Sequence, residues 1–140
     1  MPFNADFEQS LMKVEKPARY VGGELNSVMK DPGEVEVNFA LGFADTYEVG
    51  MSHLGINILY EVINALPGVW AQRVFCPWTD MISVLRESGE PLRSLEGGMP
   101  LCDFDIVGIN LSYEMCYSNV LAMLDLGRLP MLARDRGDGD

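Results

Sequence analysis

Short, mostly apolar runs recur along the chain at lengths typical of β-strands. The first begins with Val35, Val37 and Phe39 at alternating positions and then becomes continuously apolar up to residue 43. That change is typical of a strand buried on both faces of a sheet, so we predict a strand over residues 35–43. Further apolar runs bounded by turn-forming residues predict three more strands, over residues 69–75, 105–111 and 129–133.

Stretches with helical spacing of apolar residues precede and separate these runs. They predict helices over residues 5–14, 53–65, 79–88 and 113–126. Ser52 and Ser112 are the predicted N-caps of the second and fourth helices. The residues of the second helix that are predicted to face the core are Leu54, Ile58, Leu59, Val62 and Leu66.

Strands and helices therefore alternate from residue 35 onward, which is typical of an open, mainly parallel sheet with right-handed helical crossovers. We predict an α/β fold with a Rossmann-like sheet flanked by helices in residues 35–140, after an N-terminal helix and irregular connector in residues 1–34. No helical stretch follows residues 129–133 to cover the last strand. We therefore expect a fragment of a longer protein, truncated at its C-terminus.

The chain is strongly acidic, with 21 Asp and Glu against 10 Lys and Arg and a formal net charge of −11. Such a surface repels phosphate backbones, so we expect no direct binding to nucleic acid. No apolar run approaches the roughly 18 residues that a membrane-spanning helix needs. The N-terminus lacks the basic and apolar regions of a signal peptide, so the expected location is the cytoplasm.

Three cysteines, Cys76, Cys102 and Cys116, are too far apart for a C-x-x-C motif. An odd number in a cytoplasmic chain favours reduced thiols, and we predict that all three are buried apolar side chains. The single histidine, the cysteines and the carboxylates show no metal-ligand spacing, and no G-x-G-x-x-G motif follows a strand. The residues therefore predict neither a metal site nor a catalytic residue in this chain.

Ligands of parallel α/β sheets bind beyond the carboxyl ends of the strands. Two predicted loops lie there, over residues 44–55 and 111–117, and both lead into helix N-termini whose free N–H groups can hold polar ligand groups. We predict a cofactor-binding site from their polar residues, which are Asp45, Tyr47, Ser52, His53, Ser112, Tyr113 and Glu114. The alternative interpretation is that these residues merely cap helices.

The irregular connector contains Arg19 and Glu24 on either side of a Tyr-Val-Gly-Gly sequence. We expect an ion pair between Arg19 and Glu24 to hold the connector over the sheet. The alternative is that this segment faces another domain.

Four stretches carry a family resemblance: VEKPARYVGGE at 14–24, ADTYEVGMSHLG at 44–55, RVFCPWTDM at 73–81 and DFDIVGINLSYE at 103–114. Together they resemble the N-terminal region of a bacterial radical S-adenosylmethionine (SAM) family, in which a B12-binding-like domain precedes a radical SAM domain. The resemblance implies a cobalamin-binding-like version of the predicted fold.

The resemblance also implies a downstream radical SAM domain that binds S-adenosylmethionine and holds a [4Fe–4S] cluster on a C-x-x-x-C-x-x-C motif. The three cysteines here lack that spacing, so both groups are expected only downstream, and this chain alone is not expected to be catalytic. The downstream domain of the same polypeptide is the expected partner. Self-association of the isolated chain is expected where that partner is missing.

The family resemblance also makes cobalamin a candidate cofactor. Related domains that ligate cobalt through histidine carry D-x-H-x-x-G after the first strand, whereas here Met51 stands two residues before His53 and Gly55 two after it. We therefore expect a bound corrin to lie across the carboxyl edge without a His53–cobalt bond. Two alternatives stay open: a cofactor-free structural or interaction module that packs on a catalytic domain, and a stand-alone flavodoxin-like ligand-binding domain.

Overall fold

Three parallel strands form one open sheet in the computed structural model, which describes residues 5–137. The strands are β1, Val37–Phe43; β2, Val69–Phe75; and β3, Ile106–Asn110. β1 lies in the middle, in the order β2-β1-β3, and pairs Val37 with Val69 and Phe39 with Ile106. The predicted α/β class, the open parallel sheet and the flanking helices are confirmed.

Five α-helices accompany the sheet in the described part of the chain: α1, Ala5–Leu11; α2, Tyr47–Met51; α3, Leu54–Asn64; α4, Thr79–Ser88; and α5, Tyr117–Leu126. Side chains alternate between the two faces of a strand, so each strand contributes to two cores. Ala40 and Val74 pack with α1, α4 and α5 on one face. Leu41 and Ala71 pack with α3 on the other. Within residues 5–137, no helix combines the length and apolar character needed to cross a membrane.

Large side chains from several helices fill the two cores. Ile56 of α3, Met81 of α4 and Met123 of α5 are almost completely buried. Burying one such side chain stabilises the fold by about 1.5–3 kcal/mol. Phe7 and Leu11 of α1 are buried in the same cluster as Met81, so the N-terminal helix shares the core of the sheet domain.

The core-facing side of α3 differs from the prediction. Leu54 is 73% exposed and Ile58 is 53% exposed, and the other members of the predicted stripe (Leu59, Val62 and Leu66) are exposed as well. Ile56 and Tyr60 are buried instead, against the sheet. The prediction was wrong because apolar residues occupy two faces of this helix, and helical spacing alone does not say which face meets the strands.

Three local boundaries also differ from the prediction. Residues 47–51 form the short helix α2 where we expected a loop. His53, not Ser52, is the N-cap of α3, because the Ser52 hydroxyl donates to the Glu48 carbonyl instead. α5 begins at Tyr117, not at 113, because Tyr113 has extended backbone angles and residues 114–116 form a 3-10 turn.

The fourth predicted strand, at 129–133, is absent. Arg128 has a φ of 58°, which turns the chain sharply after α5, and a 3-10 turn follows at Ala133–Asp135. Pro130 lacks the N–H group that a paired strand would use. No other strand in the described region pairs with the outer edge of β3. The turn at Arg128 and the missing N–H of Pro130 therefore keep this apolar run out of the sheet.

Candidate functional site

The helices that follow the neighbouring strands β1 and β3 pack on opposite faces of the sheet. α3 follows β1 and packs on one face, whereas α5 follows β3 and packs on the other. Loops that follow neighbouring strands diverge at such a position and leave a crevice at the carboxyl edge. In this sheet the crevice lies between the loop after β1 and the loop after β3.

Asp45 and Tyr113 connect these two loops directly. The Tyr113 hydroxyl donates a hydrogen bond of 3.0 Å to Asp45 Oδ2, while Asp45 Oδ1 accepts the Thr46 N–H at 2.7 Å. Interaction with the Cys116 thiol, together with the hydrogen bond to Asp45, raises the pKa of Tyr113 to about 12. Tyr113 is therefore a protonated donor at neutral pH, and the crevice is bridged by a hydrogen bond between protein groups.

Tyr47 and Ser52, predicted in the same site, face other parts of the molecule. The Tyr47 hydroxyl donates to Glu24 Oε1 at 3.0 Å, and its ring packs edge-on against Phe75. Burial raises the pKa of Tyr47, with a further contribution from the Glu24 hydrogen bond. Ser52 is hydrogen-bonded back into α2. Neither side chain meets the Asp45–Tyr113 pair through a hydrogen bond.

His53 is held as a helix cap. Its Nδ1 accepts the Ile56 N–H at 3.3 Å, so that nitrogen carries no proton in this arrangement. The ring lies 5.0 Å from the Phe43 ring. A Cβ at position 55 would lie 3.0 Å from His53 Cε1, so Gly55 leaves room for the ring. This geometry matches the alternative interpretation of His53 as a capping residue.

The remaining predicted residues, Ser112 and Glu114, lie on the exposed side of the loop after β3. The Ser112 hydroxyl donates to Asn110 Oδ1 at 2.8 Å, and Glu114 begins the 3-10 turn that precedes α5. Both are exposed. Of the seven predicted site residues, the structure thus brings Asp45 and Tyr113 together through a hydrogen bond.

A third loop, after β2, contributes residues that the sequence analysis missed. Cys76 donates its backbone N–H to the Asp45 carbonyl at 3.0 Å, and the Asn119 amide donates to the Ala44 carbonyl at 2.9 Å. These contacts surround a cleft of about 130 Å³, lined by Asp45, Thr46, Cys76, Pro77, Trp78, Thr79, Ile82 and Asn119. The position of residues 76–79 directly after a strand was the signal that could have identified them.

The three cysteines of this chain differ in burial. Cys76 and Cys116 are buried as predicted, but Cys102 is exposed, so the prediction was wrong for that residue. Burial, reinforced by the nearby Asp45 charge, raises the pKa of Cys76 to about 11, which keeps its thiol protonated at neutral pH. Among the described residues, no three His, Cys, Asp or Glu side chains converge to hold a metal ion.

The connector is attached to this edge differently from the expectation. Arg19 pairs with Glu48 of α2, with 2.8 Å between Arg19 Nε and Glu48 Oε1, and stacks on Trp78 at 5.5 Å. Glu24 accepts the Tyr47 hydroxyl and lies 3.9 Å from Arg73. The predicted Arg19–Glu24 pair was therefore wrong, because each partner meets an opposite group that is distant in sequence and that periodicity cannot reveal.

Large exposed apolar side chains lie in the loops at this edge of the sheet. We call this group the carboxyl-edge surface, and its members are Trp78, Leu111, Tyr113, Met115 and Tyr117. All five are exposed, and all lie in the loops after β2 and β3 or at the start of α5. A group of exposed large apolar side chains at the ligand-binding edge of a sheet is typical of a contact surface for a ligand or another domain.

Comparison with known families decides the relationship of this chain. The family model for the N-terminal region of radical SAM proteins matches residues 55–140, which is more than half of the chain. The chain belongs to this radical SAM N-terminal family. The match begins at the second residue of α3 and contains β2, α4, β3 and α5, together with two of the four stretches on which the resemblance was based. No curated protein and no solved structure matches the chain.

Proposed function

We propose that this chain is an accessory N-terminal domain that packs its carboxyl-edge surface against a radical SAM domain in the same polypeptide. That domain would hold the [4Fe–4S] cluster and S-adenosylmethionine, and this chain would contribute no catalytic residue. The proposal includes a cytoplasmic location.

The exposure of the carboxyl-edge surface carries the proposal. Met115 is 83% exposed, and it lies among exposed aromatic residues at the edge where α/β sheets place their ligands. Each Å² of apolar surface that is removed from water stabilises the buried state by about 25 cal/mol. Contact with a second domain would remove this surface from water, and membership of the radical SAM N-terminal family supports a radical SAM domain as the partner.

The polar groups beneath this surface support packing better than catalysis. Asp45 and Tyr113 are bonded to each other, His53 caps a helix and Cys76 is a buried thiol. A general base or nucleophile needs a free reactive group within reach of a substrate. These side chains are engaged in holding the three loops together.

A photo-crosslinking experiment on the full-length radical SAM polypeptide tests the proposal. A photoreactive amino acid is placed at position 115 and, as the matched control, at position 12, because Met12 is 86% exposed in the segment after α1. We expect position 115 to crosslink to residues downstream of 140, and position 12 not to do so. Crosslinks of equal yield from both positions, or none from position 115, would contradict the proposal.

Cobalamin on the same edge is the second candidate function. The cleft of about 130 Å³ is smaller than the roughly 300 Å³ at which pockets for drug-sized ligands begin, and cobalamin is larger than such ligands. The cleft itself therefore does not fit the cofactor, and a corrin would have to lie on the carboxyl-edge surface. The flat rings of Trp78, Tyr113 and Tyr117 are the observation that favours this arrangement.

Titration of the chain with hydroxocobalamin, followed by its visible absorption spectrum, separates the two candidates. Saturable binding that is weakened by Met115→Glu and unchanged by Met12→Glu would support cobalamin on this surface. The absence of saturable binding would reject the cofactor and leave the cofactor-free packing module. Self-association of the isolated chain, measured by sedimentation, is expected to be weakened by the same Met115→Glu change.

A further inference from the structure

The outer edges of β2 and β3 differ in how their backbone groups are hydrogen-bonded. The outward-facing backbone groups of β2 are bonded to other parts of the chain. The Asn64 amide bonds to both the N–H and the C=O of Ala71, at 3.0 Å each. The Arg73 N–H donates to Glu96 Oε2 at 2.7 Å, and the Arg73 C=O accepts the Leu95 N–H at 2.8 Å. The edge of β2 is therefore closed to another strand.

The outer edge of β3 has no such cover. The Asn110 carbonyl accepts the Ala44 N–H, so Asn110 directs its backbone toward β1. Backbone groups of alternate residues in a parallel ladder face opposite sides, so Val107 and Ile109 direct their N–H and C=O groups outward. Among residues 5–137 no strand, loop or side chain bonds to these outward groups. Exposed edges of this kind readily accept another strand.

An apolar groove runs beside this open edge. Its volume is about 280 Å³, and its apolar lining consists of Val107 and Ile109 of β3, Val120 and Leu124 of α5, and Leu129. The side chains of an added strand that point toward α5 would enter this groove. The open edge of β3 and the groove lie side by side. One extended segment could therefore pair with the backbone of β3 and place its apolar side chains in the groove.

We propose that a fourth strand, supplied by the same polypeptide downstream of the described residues, adds to the outer edge of β3 in parallel orientation. This inference rests on the proposed function, because it requires a polypeptide that continues into a radical SAM domain. The incoming segment would carry alternating apolar residues, one set filling the groove beside α5 and the other covering Ile106 on the opposite face, where that residue is exposed.

The path of the chain after α5 gives the orientation. Arg136 lines the groove together with Cys102 and Asp105, which lie just before the first residue of β3. A segment that continues from Arg136 along the groove therefore starts where β3 starts and runs beside it in the same direction. This connection, a strand followed by a helix and a parallel strand in one sheet, is the common crossover of α/β folds.

A second copy of the chain is the other possible occupant of this edge. Each copy carries a formal charge of −11, so electrostatic repulsion opposes a contact between two copies, most strongly at low ionic strength. A segment of the same polypeptide also starts beside the groove and needs no bimolecular encounter. These two points favour the intramolecular strand.

Amide hydrogen exchange, compared between the 140-residue chain and the full-length polypeptide, tests the proposal. We expect the amides of Val107 and Ile109 to exchange at least about 100-fold more slowly in the full-length protein. The amides of Ala71 and Arg73, which are already bonded at the closed edge, are the internal control and should be protected in both. Val107→Lys in the full-length protein should reduce the protection of Ile109, whereas Ile58→Lys on the exposed face of α3 should not.

Equal exchange of Val107 and Ile109 in the two proteins would overturn the added strand. If residues of the carboxyl-edge surface nevertheless gained protection in the full-length protein, domain packing would stand and only the strand would fail. If no residue of this chain gained protection, the proposed function would fail as well. Protection of the two amides that disappears on dilution would assign the edge to a second copy and overturn the intramolecular strand.

Discussion

The hydroxyl of Tyr113 and the carboxylate of Asp45 form a hydrogen bond of 3.0 Å across the crevice between β1 and β3. The two residues are far apart in sequence and follow neighbouring parallel strands, so the bond joins two loops, the first of which is also connected to α5 by the Asn119–Ala44 hydrogen bond. The state of this bond can be observed through the titration of Tyr113.

Replacing Cys116 by Ala, or Asp45 by Asn, should bring the pKa of Tyr113 down from about 12 toward its ordinary value, because each change removes a group that stabilises the protonated phenol. The raised pKa also has a consequence for stability. The folded-state value lies above the unfolded value of about 10, so the stabilisation is complete below pH 10 and is lost as the pH rises toward 12. Tyrosinate absorbance measures the titration, and Tyr113→Phe should remove this component.

Arg73 and Glu96 form a buried ion pair whose loss should be costly. Arg73 Nε lies 2.6 Å from Glu96 Oε1, both side chains are almost completely buried, and the guanidinium stacks on Tyr60 at 4.3 Å. Glu96→Ala leaves the Arg73 charge buried without its main partner, and we expect a loss of about 3–5 kcal/mol in the free energy of unfolding. Urea denaturation followed by circular dichroism provides the measurement.

The matched control for that prediction is the exposed pair of Arg86 and Asp125, separated by 3.2 Å. Arg86→Met should cost less than about 1 kcal/mol, because exposed pairs are screened by water and salt. Replacing Arg73 and Glu96 together by Met should recover part of the stability lost in Glu96→Ala, because the buried charge is removed while the Arg73 N–H still lacks its Glu96 acceptor. Equal losses in the free energy of unfolding for Glu96→Ala and Arg86→Met would contradict the role of burial.

His53→Ala should destabilise α3 by about 0.5–2 kcal/mol, because the Ile56 N–H loses the acceptor that caps the helix. His53→Asn should restore most of that loss, since asparagine is a favourable N-cap. Any cobalamin affinity should change by less than roughly tenfold, or about 1.4 kcal/mol, in both variants. Complete loss of cobalamin binding by a folded His53→Ala variant would identify His53 as a ligand and refute the capping interpretation.

Gly50→Ala should destabilise the packing of α2 on the sheet. A Cβ at this position would lie 2.2 Å from Phe75 Cε1 and 3.2 Å from Phe43 Cδ1, so the buried rings would have to move. Overpacking of this kind costs about 1–3 kcal/mol. Gly33→Ala is the control, because its nearest contact is an ordinary 3.4 Å to Asp31 Oδ1. In thermal unfolding, Gly50→Ala should therefore have a clearly lower Tm than Gly33→Ala.

The parts of the fold that depend on continuous apolar runs followed directly from the sequence. β1 and β2 are mostly apolar and largely buried, so pattern and environment agree. The same reasoning failed at 129–133, where the turn at Arg128 and the missing N–H of Pro130 keep an apolar run out of the sheet, and at α3, where apolar residues such as Leu54 and Ile56 lie on different faces of one helix. The local spacing of apolar residues does not show which face of a helix meets the sheet, or whether an apolar run pairs with the edge of a strand.

The convergence of Asp45 and Tyr113 could be predicted because topology alone brings the loops after β1 and β3 to one edge. The roles of Tyr47 and Asn119 could not. Tyr47 meets Glu24 of the irregular connector, and Asn119 meets the backbone carbonyl of Ala44. Contacts with irregular segments and with backbone atoms leave no periodic pattern in the sequence.

Cys102 is a native probe for the accessibility of the groove beside β3. It is the exposed thiol of the three, and it lines the groove near the first residue of that strand. Burial raises the pKa of Cys102, with the Asp103 charge acting in the same direction, so alkylation will be slow at neutral pH and faster in mildly alkaline buffer. Its labelling rate with iodoacetamide, followed by mass spectrometry of intact protein, therefore reads the accessibility of the groove without any engineered residue.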